Sequence, residues 1–216
     1  MTKSQIIERV LDPGIVAVIR VDSAATLLPI CDALLSGGVT GLEITMTSPN
    51  ALGAIADASR EFADRGALVG VGTVLDPETC RAAILAGAEF VVTPVCRPSI
   101  VAMCLRYGKV SVCGAYTPTE ALTAHEAGAD FIKLFPADGL GPKYIQNLLA
   151  PLPMLRIIPT GGVTVETAGD FLKAGCAALG AGSSLVAKEF VRNGDWAGLT
   201  ARATAFVEAV RKARGK

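Results

Sequence analysis

Lys133 is the only ionisable residue in Phe131-Ile132-Lys133-Leu134-Phe135-Pro136, a run otherwise apolar enough to be a buried strand. An ammonium in such surroundings is costly, and groups so placed either find a counter-charge or shed their proton. An amine freed of its proton is a nucleophile for carbonyl carbon. The competing explanation is a core lysine paired with a carboxylate and doing no chemistry. Leu42-Glu43-Ile44-Thr45-Met46 contains a carboxylate suited to either role. A period of two sets Glu43 and Thr45 on the face opposite the large apolar Leu42, Ile44 and Met46, which suit a helix-facing side. Lys133 shares its face with Phe131 and Phe135, so pattern alone leaves its direction open. A buried acid beside a nucleophilic amine is what imine chemistry requires, because protons must move on and off carbon and oxygen.

Further polar residues gather at the ends of apolar runs: Arg20, Thr45, Thr73, Pro94 at a turn, Thr160-Gly161-Gly162 and Gly182-Ser183-Ser184. Arg20 follows Ile15-Val16-Ala17-Val18-Ile19 and has the geometry to clamp an anion, although an arginine leaving a strand often reaches only solvent. The two glycine-rich ends let backbone N–H groups approach oxyanions, and two in succession point to a phosphorylated ligand. His125 is the only histidine and reads as a surface residue on a helix. The cysteines at 31, 80, 96, 104, 113 and 176 form no CxxC pair, so no metal site is expected and the thiols read as small core hydrophobes of a reducing compartment.

The elements that must position these residues follow a regular rhythm. Apolar runs lie at Ile15–Arg20, Gly41–Met46, Leu68–Val74, Phe90–Val95, Val110–Ala115, Phe131–Pro136, Leu155–Thr160 and Ala178–Gly182. Between them come helical stretches at Ala24–Ser36, Asn50–Asp64, Glu78–Ala86, Pro98–Tyr107, Thr119–Ala127, Tyr144–Leu149, Thr164–Ala174 and Trp196–Arg214. Ser23, Asp76-Pro77, Thr117-Pro118 and Thr164 are start signals, and Gly37-Gly38, Gly87, Gly108, Gly128 and Gly175 are stops. Eight such units suit a doubly wound open sheet or a closed (β/α)8 TIM barrel. Their evenness, the short strands and the lack of a GxGxxG fingerprint favour the barrel, with Gly70-Val71-Gly72-Thr73 too short for a dinucleotide loop. In a barrel these polar residues share the C-terminal rim, where such folds keep their chemistry, and Glu43 points inward. A short helix after the eighth strand would add its positive end to the two glycine-rich turns.

Residues 1–216 read as one α/β domain without linkers. Formal net charge is zero without a basic stripe, so nucleic acid is not an expected partner. Residues 1–10 lack a signal-peptide run and no segment approaches a membrane span, so the expected location is cytoplasmic.

Glu43-Ile44-Thr45, Gly72-Thr73-Val74, Phe131 to Pro136 and Pro159-Thr160-Gly161-Gly162-Val163 occur in this order and spacing. Together with Thr117-Pro118-Thr119-Glu120 they resemble the class I aldolases that cleave 2-keto-3-deoxy-6-phosphogluconate (KDPG) and 4-hydroxy-2-oxoglutarate. The resemblance runs from about Ile15 to Val186. It implies Lys133 as the Schiff-base lysine, Glu43 as general acid/base, and Thr73 at the carboxylate end of a pyruvate-like moiety. Pro94 would line the pocket, and Thr160 would bear on C4 stereochemistry. Arg20, Gly161, Gly162 and Ser183 would receive a phosphate. It further implies a homotrimer needing no cofactor or metal, with a small 2-keto acid and a phosphorylated aldehyde as partners.

Three segments depart from that pattern. Thr47 stands where many relatives carry an arginine that binds the substrate carboxylate, so a charge-assisted clamp is lost or moves to other groups. Thr93-Pro94-Val95-Cys96 and Val112-Cys113-Gly114-Ala115-Tyr116 also differ, and Tyr116 could project over the site and narrow it. The competing activities are cleavage of unphosphorylated 4-hydroxy-2-oxoglutarate, cleavage of the galactonate epimer, and isomerisation or epimerisation of a phosphosugar. A non-catalytic trimeric scaffold is the remaining alternative.

Overall fold

The computed structural model describes residues 1–215. Helix α1 (Lys3–Leu11) precedes β1 (Ile15–Ile19), and a 3-10 turn at Ala24–Thr26 leads into α2 (Leu27–Ser36). The chain continues through β2 (Gly41–Thr45), α3 (Ala51–Glu61), β3 (Leu68–Gly72), α4 (Pro77–Leu85), β4 (Phe90–Val92) and α5 (Pro98–Arg106). Next come β5 (Val110–Ala115), α6 (Pro118–Glu126), β6 (Phe131–Leu134), α7 (Gly141–Leu149) and β7 (Ile157–Pro159). It ends with α8 (Ala168–Lys173), β8 (Leu179–Ala181), α9 (Lys188–Asn193) and α10 (Trp196–Ala213).

The strands pair in parallel in the order β7-β6-β5-β4-β3-β2-β1-β8. The last seam closes through a parallel bridge between Thr160 and Gly180 and an Ala177 N–H bond to the Ile157 carbonyl. This is the expected (β/α)8 barrel. Two apolar layers build it. Leu42, Ile44, Val69, Val71, Ile132 and Leu134 point outward into the layer beneath the helices. Val16, Leu68, Phe90, Val92, Val112, Phe131 and Ile158 fill the inside.

Helix α1, absent from the sequence reading, joins that inner layer. Ile6 and Val10 stand one turn apart on one face and are fully buried against it. Thr2 and Gln5 start the helix as a capping box. Arg214 donates to the carbonyls of Leu11 and Ala177, tying α1 to the end of the last helix and the approach to β8.

Several boundaries shift for identifiable reasons. Ser23 caps the 3-10 turn rather than α2, and Gly141 opens α7 earlier than expected because Pro142 suits a first turn. Thr164 does not cap a helix directly. Thr164 and Thr167 exchange backbone-to-hydroxyl bonds across a turn, and regular helix begins only at Ala168. Asp76 and Thr117 cap α4 and α6 as expected. Gly38, Gly87, Gly108, Gly128 and Gly175 have positive φ after their helices, whereas Gly37 is the C-cap with negative φ.

Candidate active site

Glu43 lies in the middle of β2 and Lys133 in β6, 90 residues apart in sequence. Both side chains turn into the barrel, both are buried, and Lys133 Nζ lies 3.4 Å from Glu43 Oε1. The face shared by Phe131 and Lys133 is thus the inner one, resolving the direction that pattern left open. At 3.4 Å the pair is longer than a close charge-assisted bond, so neither group is locked to the other. Such spacing is common in catalytic pairs without substrate.

One glycine makes room for Glu43 and another for the turn beside Lys133. Thr45 pairs with Gly72 and Lys133 with Gly114 across neighbouring strands. A Cβ on residue 72 would fall within forbidden distance of Glu43 Oε1. One on residue 114 would collide with the Pro94–Val95 backbone, which folds over β5 at this point. Thr93 fixes that turn by donating to the Val95 carbonyl at 2.5 Å and accepting the Gly114 N–H at 3.0 Å. Pro94 is thereby carried to the strand beside Lys133.

Beneath the pair an internal space is lined by Val16, Phe90, Val92, Val112 and Ile158, with Thr160 and Gly180 at the closing seam. Apolar walls strengthen every electrostatic interaction above them. The Phe135 ring lies 5.3 Å from Lys133 Nζ and is itself 38% exposed. Sequence reasoning placed Phe135 in the key run without giving it a role. It also missed the significance of Gly72, although a glycine inside a strand is a usual mark of close approach.

The other expected residues lie at the ends of strands or in the loops that follow them. Thr73 has φ of 61°, an uncommon conformation for a β-branched residue, held between the Met46-to-Gly72 and Val74-to-Val92 backbone bonds. Thr160 is buried, accepts the Ala137 N–H through its carbonyl, and packs its hydroxyl side toward Gly180. Gly161 and Gly162 have φ of 99° and 69°, in the left-handed region that favours glycine, and lie against the Ala137–Asp138 backbone. Ser183 is exposed after β8, in a turn closed by the Leu185 and Val186 N–H groups on the Gly182 carbonyl. Arg20 is exposed at the end of β1, and its Nε donates to Thr47 Oγ1 at 3.1 Å. Tyr116 is exposed past β5, where its carbonyl accepts the Tyr144 hydroxyl.

Three of the thiols are held away from the thiolate form at neutral pH. Burial pushes Cys31 and Cys176 up to about 12, and burial with Cys113 nearby pushes Cys96 up to about 11. Among the described residues no group of three or more His, Cys, Asp or Glu side chains is placed to hold a metal, and no helix is long and apolar enough to cross a membrane.

Known proteins are similar to this chain along most of their length. The sequence profile of the aldolase family described as KDPG and KHG aldolase matches residues 6–202. A 2-dehydro-3-deoxy-phosphogluconate aldolase of Pseudomonas aeruginosa is 39% identical over 184 residues, covering 85% of this chain and 83% of the relative. A 2-dehydro-3-deoxy-6-phosphogalactonate aldolase of Escherichia coli is 37% identical over 204 residues, covering 92% and 95%. A solved structure of native KDPGal superposes with a TM-score of 0.86 at 35% identity, covering 94% of this chain and 96% of that one. With its barrel, its buried lysine and carboxylate and these matches, the chain belongs to the KDPG and KHG aldolase family.

Proposed function

We propose that this protein is a Schiff-base aldolase that cleaves 2-dehydro-3-deoxy-6-phosphogluconate into pyruvate and glyceraldehyde 3-phosphate. The observation that carries this reading is the buried Lys133–Glu43 pair, 3.4 Å apart inside an apolar barrel. Lys133 Nζ, as the free amine, attacks the C2 ketone to give a carbinolamine. Glu43 protonates the departing hydroxyl, which leaves as water, and the protonated imine remains. Glu43, through a water, then takes the proton of the C4 hydroxyl. The C3–C4 electron pair flows into the imine, the aldehyde departs, and an enamine is left. Protonation at C3 and hydrolysis release pyruvate and regenerate the amine.

The surrounding residues have supporting roles in this reading. Thr73 holds the carboxylate end. Gly161, Gly162 and Ser183 receive the phosphate, Pro94 lines the pocket, and Thr160 contacts the electrophile. Arg20 is the anion-binding cation of the rim. The working protein is a homotrimer of the cytoplasm and uses no metal.

The galactonate epimer is a second reading, favoured by the 37% identity to the Escherichia coli phosphogalactonate enzyme across nearly its whole length. Rates with the two C4 epimers, side by side, separate the readings. Borohydride reduction in the presence of pyruvate, followed by intact mass measurement and peptide mapping, tests the chemistry. One pyruvate-derived adduct at Lys133 is expected, lost in Lys133→Ala. Trapping that survives in that variant would put the nucleophile elsewhere.

A further inference from the structure

Helices α4 and α5 precede and follow β4 in the chain and pack against each other outside the barrel. Each turns one cysteine into their shared contact. Cys80 Sγ and Cys104 Sγ lie 3.8 Å apart, and both residues are fully buried in the outer apolar layer. That is contact distance for two sulfur atoms. A bond of about 2.05 Å needs them to close by less than about 2 Å. The two thiols are not equivalent. Cys80 sits in the first turn of α4, its N–H accepted by the carbonyl of the cap residue Asp76 at 3.2 Å. The positive end of a helix favours a thiolate there. A hydrogen bond from the Cys104 thiol holds Cys80 below the usual thiol range, against burial and the Asp76 carboxylate. The same bond, together with burial, pushes Cys104 up. Cys104 is therefore the donor, and Cys80 is the sulfur that carries negative charge first.

We infer that Cys80 and Cys104 are an oxidation site for hydrogen peroxide, at which the two thiols close into a disulfide that locks α4 to α5. The Cys80 thiolate attacks one peroxide oxygen and the O–O bond breaks. Cys80 becomes a sulfenic acid, and the departing hydroxide takes up the proton that the thiol released, leaving as water. The Cys104 sulfur then attacks the Cys80 sulfur and the S–O bond breaks. The Cys104 proton goes to the departing oxygen, which leaves as a second water. Two thiols thus lose two electrons in all, and one peroxide is reduced to two waters. Peroxide suits a buried pair because it is small enough to enter through local opening of the helix packing. In a reducing compartment the pair rests as thiols, so the lock forms only when peroxide is present. Cys80 and Cys104 are 24 positions apart, and the loop they would close contains β4 and the Thr93-Pro94 turn. Cross-linking it restrains this unit against unfolding. Neither thiol takes part in the aldolase chemistry proposed above, so the lock stands or falls independently of it.

The test treats the folded, fully reduced chain with hydrogen peroxide, quenches it in acid, alkylates it under denaturing conditions and maps the peptides. A disulfide-linked Cys80–Cys104 peptide is expected, with Cys31 and Cys176 still open to alkylation. Met154 is 45% exposed and gauges the dose through its sulfoxide. The disulfide should be complete before half of Met154 is oxidised. The melting midpoint should rise by roughly 5 °C on oxidation and return when a dithiol reductant is added. In Cys104→Ala the reaction should stop at the sulfenic acid of Cys80, captured by dimedone. In Cys80→Ala, Cys104 should stay unoxidised at the same dose. Neither variant should show the rise in melting midpoint. A pair still open to alkylation once Met154 is fully converted would make it an inert core contact and overturn the inference. A dimedone adduct on Cys104 in Cys80→Ala would overturn the assignment of Cys80 as the attacked sulfur. A disulfide that leaves the melting midpoint unmoved would overturn the lock.

Discussion

The carboxylate of Glu43 occupies the space that a side chain on residue 72 would need. Gly72, on the neighbouring strand, has no Cβ, and one built there would overlap Oε1 and the carbons behind it. The acid therefore owes its position inside the barrel to an absence on β3 as much as to its own place on β2. The loop that follows Gly72 begins with Thr73 in its left-handed conformation, so one short segment both admits the acid and shapes the proposed carboxylate site.

Gly72→Ala should displace Glu43 and lower kcat by roughly two decades, the usual worth of a well-placed general acid/base. Pyruvate trapping should be slowed but retained, because Lys133 is untouched. Gly70→Ala is the control: its Cβ would strike the Phe90 ring instead of the acid. It should cost about 1–3 kcal/mol in urea unfolding through overpacking, with a much smaller loss of kcat per folded molecule. Equal kcat losses in the two variants would mean that the room beside Glu43 has no special bearing on turnover.

The Lys133–Glu43 pair separates stability from chemistry. Removing one partner of a buried ion pair typically costs about 3–5 kcal/mol, whereas replacing both by well-packed apolar side chains is often neutral or better. Lys133→Met and Glu43→Leu should therefore each lower unfolding stability by about 3 kcal/mol, and the double variant should recover most of the loss. All three should be inactive. A double variant less stable than either single one would make the pair a structural fastening, which is the competing explanation the sequence already raised.

Part of this site was legible before the fold was known. Alternation in β2 fixed the inward direction of Glu43, since Leu42, Ile44 and Met46 needed the helix-facing side. The same logic failed for Lys133, because Phe131 and Phe135 flank it on its own face and look equally suited to either layer. The tie-breaker was tertiary: Phe131 packs inside with Phe90 and Val112, which no periodicity within β6 encodes. The run of side-chain bonds from Arg20 to Thr47, Thr47 to Thr45 and Thr45 to Ser48 was illegible for a similar reason, as it joins the end of β1 to β2 and the loop after it through side chains whose separate patterns say only that they are polar. Helix α1 could have been found, because Ile6 and Val10 have helical spacing and Thr2 with Gln5 forms a capping signal. Its polar residues hide it from a reading that looks for long apolar runs.

That helix carries its own prediction. Ile6 is fully buried against the inner layer, below the site. Ile6→Ala should destabilise the protein by about 2–5 kcal/mol through lost burial and the cavity left behind. With the apolar base of the barrel opened, water gains access to the space under Lys133, and turnover measured well below the unfolding transition should fall as well. A stability loss with no change in turnover would confine α1 to a packing role.

The start of α6 links acid sensitivity to the rim. Glu120 accepts the N–H groups of Tyr116 and Thr117, each at 2.9 Å, together with the Thr117 hydroxyl. These bonds hold its carboxyl below the usual range, chiefly through the Tyr116 N–H. Asp76 is lowered in the same way by the backbone N–H and hydroxyl of Thr79 at the start of α4. A folded-state carboxyl lowered relative to the unfolded chain stabilises fully above the unfolded pKa of about 4 and loses that contribution as pH falls through the lowered value. Stability should therefore decline below about pH 4, and Glu120→Gln should be less stable than the parent at pH 7 but decline less steeply in acid. Thr117→Ala should cost about 1 kcal/mol at pH 7 as a lost cap. Urea midpoints measured across pH 3 to 7 decide the matter: parallel curves for Glu120→Gln and the parent would mean that this carboxylate has no part in the acid response.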